Sequence, residues 1–140
     1  MSTIMVGIDP GVSTGYAEWD RVDRKLIRCE TVMIHRAWER VLYLRAMSQL
    51  HSVVFEDARL RTWFGSAGRE KLQGAGSVKR DCKAWADFCG DHGIPYLCIA
   101  PQKGATKWDE SRFKTVTKWG GKRTSEHARD AALLVFGRGA

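Results

Sequence analysis

An apolar run close to the N-terminus ends on a carboxylate and then turns sharply through Pro-Gly. The run covers residues 3–8, the acid is Asp9, and the segment 7–17 reads GIDPGVSTGYA. Its Ile, Met and Val side chains predict a buried strand over residues 3–9. Asp is common at the first position of a β-turn, so Asp9 can be a turn residue. It can equally be a metal ligand on a rigid strand end, and the choice depends on whether other carboxylates reach the same place.

The apolar periodicity of the remaining chain predicts an α/β fold with a mixed sheet. Two more strands, over residues 14–19 and 25–34, are expected to complete an antiparallel meander. Buried strands over residues 52–56 and 95–99 alternate with helices and are expected to be parallel. The other predicted elements are helices over residues 36–49, 75–89, 109–119 and 125–136 and a loop over 58–70. The 140 residues are thus expected to form one domain, a five-stranded mixed sheet flanked by helices.

The charge of the chain indicates a polyanionic partner. Lys and Arg number 23 against 16 Asp and Glu, which gives a net charge of +7 and an isoelectric point near 9.5. The cations cluster in residues 59–83 and 103–123 with aromatic side chains between them, as is typical of nucleic-acid surfaces. The four cysteines show neither a CxxC pair nor a zinc spacing, which favours free thiols in a reducing compartment. We therefore expect a cytoplasmic, nucleoid-associated protein with no membrane partner, in the host cytoplasm if phage-encoded.

Two more carboxylates and a histidine stand where they could meet Asp9. Glu56 closes the predicted strand 52–56, and Asp130 lies one turn into the last helix, with His127 three residues before it on the same face. Carboxylates a few ångströms apart repel one another unless a cation neutralises them. Oxygen ligands are preferred by Mg²⁺ and Mn²⁺, so the pattern predicts a metal site.

The acid at the end of the fourth predicted strand has a competitor. Asp57 directly follows Glu56, and strand alternation leaves open which of the two points inward. We favour Glu56 because it shares a face with the apolar Val54.

Three segments together resemble the motifs of the RuvC-type Holliday-junction resolvases, which have the ribonuclease H-like fold. GIDPGVSTGYA resembles the first motif, VVFED the second, and EHARDAALL the C-terminal helix motif, in which an Asp or His precedes the final Asp by three residues. Their order and approximate spacing cover nearly the whole chain. The resemblance implies a homodimeric endonuclease that binds a four-way DNA junction and nicks two strands symmetrically in recombination and repair.

The same resemblance implies that Asp9, Glu56, His127 and Asp130 are the catalytic metal ligands, with two Mg²⁺ ions per subunit that Mn²⁺ can replace. We expect Asp9 to bridge both ions, Glu56 to hold one, and Asp130 with His127 to hold the other. His127 could instead position the attacking water, because imidazole is a softer ligand than Mg²⁺ usually takes.

The resemblance also places DNA-binding lysines between the fifth strand and the last helix, and the basic stretch before it adds further cations. The predicted DNA-binding residues are Arg59, Arg61, Lys79, Lys103, Lys107 and Lys114. The family often has an aromatic residue three positions after the glutamate of its second motif, where Arg59 stands here. Trp63 or Phe64 could take over the role of a wedge against a junction base.

Three other functions compete with junction resolution. The first is another ribonuclease H-like nuclease that acts on branched DNA or structured RNA. The second is an ATPase, because GIDPGVSTGYA also resembles the phosphate loop of actin-like and sugar-kinase-like proteins; those need two such domains, so we expect no small-molecule nucleotide. The third is a non-catalytic DNA-binding module, which would be expected to lack at least one of the acids. The helix around residues 78–89 is our prediction for the dimer surface.

Overall fold

The computed structural model describes residues 2–61, 69–101 and 107–139, with no side chains for residues 69–75. Its five strands are β1 (Ile4–Asp9), β2 (Ser13–Asp20), β3 (Lys25–Met33), β4 (Leu50–Glu56) and β5 (Tyr96–Ile99). They form one sheet in the order β3-β2-β1-β4-β5. The first three strands pair antiparallel, whereas β4 and β5 run parallel to β1. The predicted mixed α/β sheet, a meander followed by two parallel strands, is confirmed.

Four helices connect and cover the strands, and their bounds depart from the predicted ones. They are α1 (Ile34–Ala46), α2 (Arg69–Asp91), α3 (Glu110–Thr117) and α4 (Glu126–Val135). α3 ends at Thr117 rather than at residue 119, because Lys118 adopts a left-handed backbone with φ 60°. None of the helices in the described ranges is both long and apolar enough to cross a bilayer.

The prediction of a loop over residues 58–70 is wrong at both ends. Ala58–Leu60 is a 3₁₀ turn, which begins where the Asp57 carboxylate accepts a hydrogen bond from the Arg59 backbone N–H. α2 already begins at Arg69. Residues 62–68 lie outside the described part of the chain.

The two faces of the sheet carry separate apolar layers. Val53 and Phe55 of β4 pack with Trp85 of α2 on one face, where α1 also lies. Val54 points to the other face and packs in the layer that contains Val135 of α4. Because successive side chains of a strand alternate between faces, the run from Val53 to Phe55 buries apolar side chains on both sides of β4. The four cysteines are free, as expected, although Cys98 is only partly buried.

Helix α4 lies directly on the backbone of β1 and β2. A Cβ atom on Gly15 would come within 2.6 Å of the carbonyl carbon of His127, and one on Gly7 within 3.1 Å of that of Ala131. The first distance is shorter than real Cβ contacts show, and a Cβ on Gly7 would also overlap the carbonyl oxygen of Ala131, so neither position accepts a side chain without a shift of the helix. The glycines at both ends of the segment GIDPGVSTG therefore set how closely α4 approaches the sheet.

We predict that Gly15→Ala destabilises the protein by about 1–3 kcal/mol, because the added methyl group forces α4 away from the sheet. Gly90→Ala is the matched control: Gly90 lies in α2 with nothing within 4 Å of its would-be Cβ. In a helix, that change is expected to stabilise by roughly 0.5–1 kcal/mol. Urea unfolding measures both free energies, and equal effects of the two substitutions would contradict the close packing described here.

Candidate functional site

Asp9 and Glu56 stand at the same edge of the sheet, at the ends of adjacent parallel strands. Ile8 of β1 pairs with Phe55 of β4, so the two acids follow neighbouring positions. Burial raises the pKa of Asp9, and the charge of Asp130 raises it further against the hydrogen bond from His127. Burial also raises the pKa of Glu56, and the charge of Asp9 adds to this. The two carboxyls are therefore close enough for the charge of Asp9 to disfavour the ionisation of Glu56.

Helix α4 brings His127 and Asp130 to this edge. Ser125 caps the helix by accepting a hydrogen bond from the backbone N–H of Ala128, at 3.1 Å, which fixes the first turn. His127 then reaches Asp9, with 2.9 Å between its Nδ1 and the Asp9 Oδ2. The charge of Asp130 raises the pKa of both Asp9 and Glu56. All four predicted metal-site residues thus meet at one place, which we call the acid cluster.

A lysine lies within the acid cluster. The Lys107 Nζ donates a hydrogen bond to Asp130 Oδ2 at 2.7 Å. Burial lowers the pKa of Lys107, but the hydrogen bond to Asp130 and the charges of Asp130, Glu56 and Asp9 outweigh it and raise the pKa. In this structure an ammonium group supplies the positive charge that three neighbouring carboxylates require. Lys107 was predicted to bind DNA, and its pairing with Asp130 was not foreseen.

Asp57, the competitor of Glu56, points away from the acid cluster. Its side chain is 1% exposed and pairs with Arg59, whose Nη2 lies 2.7 Å from Asp57 Oδ2. Burial raises the pKa of Asp57, but the hydrogen bonds from Arg59 outweigh it and lower the pKa. The geometry favours Glu56 as the member of the site. Arg59 therefore holds Asp57 and the turn that follows β4, and the spacing Asp-x-Arg was the signal in the sequence that could have indicated this pair.

The other predicted DNA-binding residues that the structure describes lie on separate elements. Lys114 lies on α3, where its Nζ is 3.6 Å from a carboxylate oxygen of Glu110. Arg61 follows the 3₁₀ turn and Lys79 lies on α2, both partly exposed. The predicted residues Trp63, Phe64 and Lys103 lie outside the described residues, so their roles stay predictions.

The donors of the acid cluster suit a hard divalent cation. Across residues 2–61, 69–101 and 107–139, no three His, Cys, Asp or Glu side chains are arranged closely enough to hold a metal ion. The acids nevertheless share one partly buried edge, where the charge of Asp130 raises the pKa of both Asp9 and Glu56, so they favour a positive charge among them. A salt bridge from Lys107 meets part of that demand. Asp9, Glu56, Asp130 and the imidazole of His127 offer the kinds of donor atom that Mg²⁺ or Mn²⁺ takes, but in this structure they lie too far apart to hold an ion together.

No family model matches the chain, and no curated protein matches it.

We predict that Glu56→Gln stabilises the metal-free protein at neutral pH. Above its raised pKa in the folded protein, the charge of Glu56 disfavours folding; below the ordinary value of 4.5, the neutral carboxyl has no such effect. The gain from the amide should therefore disappear as the pH falls to about 4. Urea unfolding across this pH range tests it, with the exposed Glu39→Gln on α1 as control. A gain that is independent of pH would contradict the repulsion between the acids.

We predict that Lys107→Met tightens the binding of Mn²⁺ by roughly threefold, because a half-exposed ion pair contributes at most about 1 kcal/mol. The substitution removes the ammonium that pairs with Asp130 and keeps the length of the side chain. Lys114→Met removes the same charge from a lysine that pairs with Glu110 instead, and it should leave the affinity unchanged. Titration calorimetry with Mn²⁺ measures both. Weaker binding in the Lys107 variant would show that Lys107 does not compete with the cation.

Proposed function

We propose that this chain is a divalent-metal-dependent endonuclease of the RuvC type, with a ribonuclease H-like fold, that nicks four-way DNA junctions. The observation that carries the proposal is the meeting of Asp9, Glu56 and Asp130, from two strands and a helix far apart in the sequence, at one edge of the sheet. A fold gains no stability from pressing acids together in a partly buried place. Such an arrangement is typical of a catalytic site.

The topology supports the fold part of this proposal. The resemblance to the resolvase motifs implies a meander followed by two parallel strands, and the sheet has the order β3-β2-β1-β4-β5 with that pairing. The first motif spans β1 and the start of β2, the second ends β4, and the third lies on α4. The three motifs therefore occupy the elements that build the acid cluster.

The residues of the cluster have distinct parts in the proposed reaction. Bound Mg²⁺ or Mn²⁺, two ions per subunit, would activate a water and stabilise the leaving oxygen of a phosphodiester. Asp9 is coupled both to Glu56 and to Asp130, which suits a ligand shared between two ions. His127 orients Asp9 through its Nδ1 and could serve as a further ligand or hold the water. Lys107 would leave Asp130 when the metal binds and would then be free to contact a phosphate.

The charge of the chain supports the substrate part of the proposal. A net charge of +7 favours a polyanion, and binding to phosphates should fall steeply with salt. A four-way junction offers two equivalent strands, so we propose a homodimer with one site per subunit. The predicted surface for it lies on α2 around residues 78–89, where Val78 is 36% exposed.

We predict that Asp9→Asn and Asp130→Asn each reduce nicking of a labelled four-way junction by roughly a thousandfold or more, because loss of a metal ligand removes several kcal/mol of transition-state stabilisation. Asp87→Asn is the control, since Asp87 is an exposed acid paired with Lys83 on α2. Each protein is assayed with Mg²⁺ and with EDTA, on the junction, a flap, a linear duplex and a structured RNA.

Three outcomes separate the possible functions. Symmetric, metal-dependent nicking of the junction that the two cluster variants lose would establish the resolvase activity. Cleavage of only the flap or only the RNA would support the metal site but show that the substrate is not a four-way junction. Junction binding without cleavage under any metal would leave a DNA-binding module.

A further inference from the structure

A groove runs along the free edge of β3, beside the acid cluster. One wall is β3 from Ile27 to Thr31, and the other is the segment from Trp119 to Ser125 that leads into α4. The groove is open to solvent and has a volume of about 500 Å³. β3 pairs only with β2, so this side of the strand presents backbone groups that no further strand covers among the described residues. We call it the β3 groove.

The charged side chains that line the β3 groove are mostly positive. It contains the cations Arg28, Lys122 and Arg123 against one acid, Glu30. Arg28 and Glu30 form an exposed ion pair at 3.6 Å, so the two neighbouring cations at positions 122 and 123 carry the excess charge. Such a surface favours an anion with several charges in a row, which is the character of a nucleic-acid backbone.

The wall that carries these two cations is held in place by side chains behind it. The Trp119 indole N–H donates to the Lys122 carbonyl oxygen at 2.9 Å. Arg129 of α4 donates to the Thr124 carbonyl oxygen at 2.8 Å and pairs with Glu110 of α3 at 3.2 Å. The segment therefore has a fixed path before any ligand binds, which lowers the entropic cost of binding one.

The β3 groove begins close to the acid cluster. Asp9 pairs with Gly15, and Gly15 pairs with Thr31, so the groove lies two strands across from the catalytic candidate. At about 4.8 Å between strands, this is a distance of roughly 10 Å. Three base steps of stacked DNA at about 3.4 Å each cover the same distance. Ser125, which lines the groove, is only two residues from His127 of the cluster.

From these observations we propose that the β3 groove binds the phosphate backbone of the DNA strand that is cut, a few nucleotides away from the acid cluster. The proposal rests on the nuclease function and names Lys122 and Arg123 as its main phosphate contacts, in a place that none of the predicted DNA-binding residues occupies. The groove then fixes the direction of the strand across the acids, and Trp119 acts as the support of the wall.

The test compares Lys122→Ala/Arg123→Ala with Lys25→Ala/Arg45→Ala. Both double variants lose two positive charges, but Lys25 starts β3 and Arg45 lies in the last turn of α1, at the end of the sheet remote from Asp9. Binding of a fluorescent four-way junction and of a linear duplex is measured in EDTA over a series of salt concentrations. The variants replace surface side chains, and circular dichroism verifies that each remains folded.

The groove variant should bind the DNA roughly tenfold more weakly at low salt, and the slope of log K against log salt should fall by about 1 to 2, since each phosphate contact contributes about 0.9. The control variant should keep the slope of the wild type. A second measurement is the acetylation of Lys122 by a lysine reagent, followed by mass spectrometry. Bound DNA should protect Lys122 and leave Lys25 reactive.

An unchanged slope, or Lys122 that stays reactive in the complex, would overturn the proposal, as would a wild type that binds no DNA. Should an acidic protein rather than DNA protect Lys122, the groove would be a protein interface and the proposal would be wrong. Failure of the nuclease function is distinguishable: the junction would then stay uncut with every metal, while the salt slope would still report the groove. Cleavage of the junction together with an unchanged salt slope in the groove variant would reject the groove proposal and leave the nuclease function in place.

Discussion

The close approach of helix α4 to bare strand backbone is the constraint on which the rest of the structure depends. Gly7 and Gly15 offer no side chains, and the carbonyl groups of Ala131 and His127 fill the space that Cβ atoms would take. The buried alanines on that face of α4 are small, so the helix can pack closely against the backbone of the two glycines. Because α4 packs this close to the sheet, the side chain of His127 reaches the carboxylate of Asp9 at the end of β1.

This packing places like charges together, and the fold compensates for them locally. Partial burial and mutual repulsion raise the pKa of Asp9 and Glu56, while Lys107 supplies the nearest positive charge through Asp130. The arrangement resists ionisation unless a cation neutralises it, and in this structure the ammonium group of Lys107 is the cation that lies beside it. At the neighbouring Asp57, by contrast, an ion pair with Arg59 neutralises the buried carboxylate, and the pair stabilises a turn. Two adjacent acids thus differ in role because the strand directs them to different sides.

The β3 groove and the acid cluster share one support. Glu110 of α3, the backbone of Thr124 and Arg129 of α4 are joined by hydrogen bonds, which ties the segment before α4 to the helix itself. Ser125 then ends that segment and caps α4 in one step. A shift of α4 would therefore move the wall of the groove together with the histidine and the aspartate of the cluster. The wall of the groove and the geometry of the acids are therefore mechanically coupled through this short stretch of chain.

The sequence by itself determined the element types, the mixed sheet and the positions of the acids at strand ends, because periodicity and turn residues act over a few neighbouring residues. From the sequence alone, Asp57 and Glu56 remained alternatives, and the 3₁₀ turn at Ala58–Leu60 was predicted as part of a loop. The sequence also did not indicate that Lys107 would pair with Asp130. Only the tertiary structure decided these points and showed why Gly7 and Gly15 must lack side chains. Each depends on contacts between residues far apart in the chain, whose distances are set by how deeply a helix packs and not by any local pattern.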